Sequence, residues 1–207
     1  MNTPRPGSAP IFGTLVASLA LGLAVAACDR RAVEDDSAPT PAADTSTVAA
    51  PAGTAPTASA GNTSQADALA LLIVVDEHEI AAADQALMKN VSGPVLAYAQ
   101  LMKTDHATNL AATTRLGGAA STASAVTGLH DQGEADLEAL AAVPDGAAYE
   151  KAYVDSMVRG HAEALALIDD ILLPAANADN VRQHFTATRA TVSRHLEQAK
   201  ALQATLK

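Results

Sequence analysis

The chain has 207 residues, with 13 Lys and Arg against 23 Asp and Glu, for a net charge of −10. That balance argues against nucleic acid as a partner, because holding a phosphate backbone takes a surplus of cations. A single cysteine excludes an intramolecular disulfide, so the fold rests on its apolar core, and a chain rich in Ala and Leu with few aromatics favours closely packed helices over sheets.

The first element is an apolar run, Ile11 to Ala24, which follows Arg5 and is interrupted by Gly13 and Gly22. It is too short to span a bilayer permanently and reads as a signal peptide over residues 1–27. It ends in Leu23-Ala24-Val25-Ala26-Ala27-Cys28, and small residues before a cysteine resemble the bacterial lipoprotein signal. In that chemistry cleavage leaves Cys28 as the first residue, carrying acyl chains, and two or more chains anchor a protein durably in a membrane. The plain alternative is an ordinary cleaved signal followed by a buried free cysteine. Without Arg5 the remaining chain has 12 basic and 23 acidic residues, a net of −11.

Residues 28–64 hold the lipidated cysteine and then Ala, Pro, Thr, Ser and Gly around an acidic knot at Glu34-Asp35-Asp36, with almost nothing large to bury. This stretch is predicted to be a disordered tether with a reach on the order of 35 Å. Residues 65–207 form the domain, long enough to bury roughly two-thirds of its unfolded surface.

Ser64, with Asp67 three residues on, predicts the start of a first helix running from Ala66 to about Asn90. It places Leu69, Leu72, Asp76, Glu79, Ile80, Ala83 and Leu87 on one face. Ser92-Gly93-Pro94 restarts the chain, and a second helix runs to about Leu116 with Val95, Tyr98, Met102, His106, Thr113 and Leu116 aligned before Gly117-Gly118. Residues 117–145 read as a long connection with a short helical stretch around Gly133–Val143. Asp145 is the expected cap of a third helix that continues to about Leu173 and stops at Pro174. The fourth runs from about Asp179 to the end, with Val181, Thr188, His195, Ala199, Leu202 and Leu206 on one stripe. Four helices joined short, long, short predict an all-α four-helix bundle with one long crossover.

The second and third helices share a spelling, Ala-Tyr-x-x-x-Met-x-x-x-His, at Ala97 to His106 and at Ala152 to His161. Steps of four put Tyr, Met and His on one helical face. Glu79, His106, His161 and His195 lie 12, 15, 15 and 19 residues from their nearest interhelical turn. At about 1.5 Å per residue, their heights differ by roughly 10 Å at most, so the four can converge near the middle of a bundle. A buried layer of one Glu and three His is satisfied either by mutual hydrogen bonds or by a metal ion. Met102 and Met157 read as core filler; were they ligands, soft sulfur would favour Cu(I). His78 is off the stripe, His130 lies in the connection, and His184 is placed toward the end of the last helix.

These residues resemble a family of bacterial envelope proteins of unknown function, of outer-membrane type, grouped with ferritin-like four-helix domains. The resemblance rests on Glu79-Ile80, on Ser92 with Val95, Tyr98, Met102 and Asp105-His106, on Tyr149-Glu150 with Tyr153, Met157 and His161, and on His195-Leu196 with Ala199. The family's recurrent Glu and three His fall on Glu79, His106, His161 and His195, while Tyr149 and Glu150 stand where it more often has Phe and Asp. A di-iron centre is not implied, because that site needs Glu-x-x-His pairs, and Lys103, Val158 and Val192 occupy the positions three before the histidines.

No nucleophile motif or phosphate-binding loop occurs, and the expectation is a protein that is not an enzyme. The first functional reading is a membrane-tethered, periplasm-facing module of unknown biochemical activity that binds a single transition-metal ion, or a small ligand, through the Glu79, His106, His161 and His195 layer. The alternative is an envelope interaction or stress-protection protein whose polar layer is purely structural and whose partner is another envelope protein. Assembly into ferritin-like cages fits a tethered chain poorly. Asp29 after Cys28 resembles an inner-membrane retention signal, whereas the family resemblance leans to the outer membrane.

Overall fold

In the computed structural model, which describes residues 63–206, the first helix begins at the expected cap. The Ser64 hydroxyl accepts from the Asp67 amide and donates to its carboxylate, satisfying one of the free N–H groups of helix α1, Gln65–Met88. Helix α2, Gly93–Arg115, starts with Pro94 in its first turn. Ser92 donates from both its amide and its hydroxyl to the Glu150 carboxylate, at 2.7 and 2.9 Å, instead of capping its own helix.

The connection differs from expectation. It holds a full helix, α3, Ser124–Ala141, in place of a short stretch around 133–143. Its residues are mostly small or polar, and only Val126 and Leu140 are fully buried, so few large apolar side chains mark it as a helix. Helix α4, Ala147–Leu167, is preceded by Gly146 at φ 92°. A left-handed turn suits a glycine there, and Asp145, the expected cap, pairs with Lys89 instead. Past Leu167 the helix widens into a π turn, Ile168–Leu172, and closes with Leu173–Ala175. The helix thus ends one residue past Pro174, close to the expected stop, and the wider turn places Ile168, Ile171 and Leu172 inward. Helix α5, Asp179–Gln203, completes the fold.

Side-chain bonds fix the helix directions. Gln65 at the start of α1 accepts from the amides of Asn177 and Ala178, just before α5. Ser92 and Glu150 join the starts of α2 and α4. Ser121 bonds Asp67 near the beginning of α1, while Gln85 and Lys89 near its end donate to the carbonyls of Leu137 and Val143. The order is thus α1 up, α2 down, α3 running back alongside α1, α4 down and α5 up. All five elements are helices, no strand occurs among the described residues, and none of these helices is long and apolar enough to cross a membrane.

Two apolar clusters form the core. One gathers Leu69, Leu72, Val126, Ile168, Leu172, Val181 and Phe185. The other gathers Val95, Tyr98, Met102, Tyr149, Tyr153 and Met157. Along α1, α2, α4 and α5 a single buried polar layer separates them: Asp76 and Glu79, His106, His161 and His195. Residues 1–27, expected to be a signal peptide, Cys28 and nearly all of the expected tether lie outside the described residues.

Candidate metal centre

Each of the four long helices contributes to this layer from the face its sequence period assigns to the core. His106 from α2, His161 from α4 and His195 from α5 form a near-equilateral triangle, with ring centroids 5.8, 5.5 and 5.5 Å apart. One ring nitrogen from each lies within 4.8 Å of the other two, and all three residues are buried. Glu79 is buried beside them, its Oε1 3.7 Å from His161 Nδ1, but it stands outside the set that converges within that distance.

The outward nitrogens are all bonded. His106 Nδ1 is 2.9 Å from Asp76 Oδ1, His161 Nδ1 2.9 Å from the Met157 carbonyl, and His195 Nε2 2.9 Å from Asp105 Oδ2. A carbonyl can only accept, so His161 Nδ1 carries the proton and donates, and an ionised Asp76 or Asp105 carboxylate sets the same role on His106 Nδ1 or His195 Nε2. The remaining nitrogens, His106 Nε2, His161 Nε2 and His195 Nδ1, have no protein partner and present lone pairs when the rings are neutral, a form His106 reaches only by giving up the proton that Asp76 and Glu79 help it hold. Glu79 Oε2 is likewise buried without one.

Further bonds steady this shell. Asn109 donates to both oxygens of Asp76, at 3.2 and 2.9 Å, and Thr188 donates to Asn109 Oδ1 at 2.8 Å. The Tyr98 hydroxyl donates to the carbonyl of His195. The sequence assigns no site role to Asp76, Asp105, Asn109 or Thr188, although Asp76 and Thr188 fall on inward stripes and Asp105 is among the residues that carry the family resemblance. The signal that could have found them is spacing: Asp76 precedes Glu79 by one turn, and Asn109 follows His106 by one turn.

The electrostatics differ from ring to ring. Burial lowers the affinity of His161 for a proton below the ordinary imidazole value, despite Glu79 nearby. Burial likewise lowers His195, to about 4. In His106 burial works in the same direction, but the Asp76 hydrogen bond and the charges of Glu79 and Asp76 overcome it and raise the pKa. Burial would raise Glu79, yet the surrounding histidines hold it below its ordinary value. Asp76 is raised, chiefly by burial. Among the described residues no Lys or Arg pairs with Asp76 or Glu79.

The remaining histidines are elsewhere. His78 lies off the α1 stripe, half-buried beneath α3, and His130 is exposed on α3 beside Asp131 and Glu134. His184 stands in the second turn of α5, not toward its end, with Nε2 2.9 Å from Thr113 Oγ1. Met102 and Met157 pack in the tyrosine-bearing apolar cluster.

No curated protein and no solved structure matches this chain. A family profile does match, over residues 49–202, which takes in every element of the layer just described. The chain thus belongs to the family described as a domain of unknown function, DUF4142.

Proposed function

We propose that this domain binds one divalent transition-metal ion through His106, His161 and His195, with Glu79 supplying a neutralising carboxylate next to the ligand set. The observation that carries the reading is the convergence of three buried imidazole lone pairs, each aimed inward by a bonded nitrogen on its far side. A purely structural polar layer would pair these groups with one another, since an unpartnered buried polar atom costs about 1–3 kcal/mol. Here the donors point outward and the acceptors inward, the pattern by which carboxylates and carbonyls orient metal-binding histidines. Charge agrees: a dication offsets Asp76 and Glu79, which no cationic side chain reaches among the described residues. Three imidazole nitrogens suit Zn, Cu, Ni or Co once His106 has released its proton, with copper favoured by intrinsic affinity.

The cavity beside His106 and Asp76 measures about 10 Å³, room for about one water, which supports a binding module over an enzyme with an organic substrate. The up, down, down, up order of the long helices, with one crossover, supports a ferritin-like bundle. The motif ending at Cys28 supports a lipid-anchored protein facing the periplasm, with the outer membrane preferred. Titration of the metal-free full chain with Zn²⁺ by calorimetry tests the reading. One site per chain, lost in His161→Ala, is the expected result. No saturable binding in the parent would turn the reading to a structural layer serving an envelope interaction protein.

A further inference from the structure

The buried triangle needs a way in, and one side of the molecule is thin. Gly160 precedes His161 on α4, and a Cβ placed on it would lie 3.5 Å from Glu79 Oε1, so at that point no side chain separates Glu79 from the outer surface of α4. The same Gly160 lines a cavity of about 30 Å³ between α1, α3 and α4, large enough for about two waters and hence for a partly dehydrated ion. His78 lines it from α1, and its buried Nδ1 has no protein partner. Above His78, α3 carries Gly133, where a Cβ would come within 2.9 Å of that nitrogen, so the crossover helix closes over the imidazole only because a glycine stands there. Asp136 and Glu163 also line the cavity, with Arg159 as the single cation, so the rim favours positive ions.

Resting on the metal reading above, the geometry points to this cleft as the loading route: we propose that the ion passes His78 and Gly160 and is handed by Glu79 to the three histidines. Glu79 then acts as a transfer ligand, which fits its position against the His161 ring, 3.7 Å from Nδ1, and outside the converging set. No covalent change accompanies the passage; the ion exchanges water for carboxylate and then for imidazole.

Stopped-flow mixing of the metal-free full chain with Co²⁺, followed by the visible absorption of the bound ion, tests the route. Gly160→Leu is expected to slow loading by at least about tenfold while one Co²⁺ per chain still binds. Gly128→Leu, an equal bulk placed where a Cβ meets nothing within 4 Å, should load at the parental rate. The double variant Asp136→Asn with Glu163→Gln, which keeps the fold if Gly160→Leu does not, should load several-fold more slowly at low salt and near the parental rate at high salt. Parental rates in both the Gly160 and the double variant would overturn the route and leave the histidine site standing. Absence of Co²⁺ binding in the parent would overturn site and route together.

Discussion

Helices α2 and α4 carry the same ten-residue spelling, run in the same direction and place Tyr, Met and His at matching heights, yet the two copies are chemically unlike. His106 is held by the buried carboxylate of Asp76, His161 by the carbonyl of its own helix. Tyr98 finds an acceptor in the backbone of α5, while the hydroxyl of Tyr153 has no protein partner. Spelling fixes where a side chain goes. The helix packed opposite fixes what it can do there, because α2 faces the acid-bearing stripe of α1 and α4 does not receive the same partner. The outcome is one imidazole made more basic beside one made less so, a pair no symmetric repeat would supply.

The largest expected effect removes a ligand from either copy. His106→Ala or His161→Ala should each abolish stoichiometric ion binding, measured by competition against a chelator, because two remaining nitrogens no longer enclose the ion. Retention of one ion per chain in both variants would sever the equivalence of the copies.

Next come the orienting carboxylates. Asp76→Asn should weaken metal affinity by about 10- to 100-fold. Asp105→Asn should cost less, since that carboxylate is 32 % exposed and water can replace it. Equal losses would show that burial does not separate the two supports.

Proton binding sharpens the comparison further. In the metal-free protein, NMR titration should find His106 deprotonating above the ordinary imidazole value, His161 below it, and His195 near pH 4. The signs for stability follow by linkage. The contribution of His106 is fully present below its unfolded pKa and is lost as pH rises through its raised folded value. The contributions of His161 and His195 are present above the unfolded pKa and are lost on acidification, down to about pH 4 for His195. Ion uptake should release protons at neutral pH, mostly from His106. Titration of all three rings at one pH would contradict the asymmetry.

The smallest effect concerns the tyrosines. Tyr98→Phe should cost about 1 kcal/mol in urea denaturation, the net worth of its bond to the His195 carbonyl, while Tyr153→Phe should be nearly neutral. A larger loss at Tyr153 would reveal a partner for its hydroxyl.

Much of this arrangement is legible in the chain. The Ser64 cap, the break at Ser92-Gly93-Pro94, the four-residue steps to His106 and His161 and the Val181, Thr188, His195 stripe depend on local chemistry that a sequence states directly. Other parts depend on what packs opposite. Helix α3 is read short because Ala, Ser and Gly leave few large apolar residues to mark it, and Gln85 and Lys89 near the end of α1 bond its last turn and the residues just after it. Asp145 is a good cap by type, but Lys89 claims it. Pro174 is a helix breaker by type and the helix does end one residue past it, but the π turn ahead of it has no mark in the sequence pattern. Asp76 and Asp105 gain their roles only once α1 faces α2, and α2 faces α5, so their partnership with histidines is a tertiary fact. Glu79 lies buried beside the histidines, and its side step from the converging nitrogens is a matter of ångströms that spacing cannot carry.

The most direct test of the metal centre is elemental analysis, by mass spectrometry, of the full chain purified without a histidine tag, beside the His106→Ala, His161→Ala double variant. The account predicts one transition-metal ion per chain in the parent and none in the variant. Metal in neither, after exposure of both to Zn²⁺ and Cu²⁺, with the variant merely less stable, would contradict it.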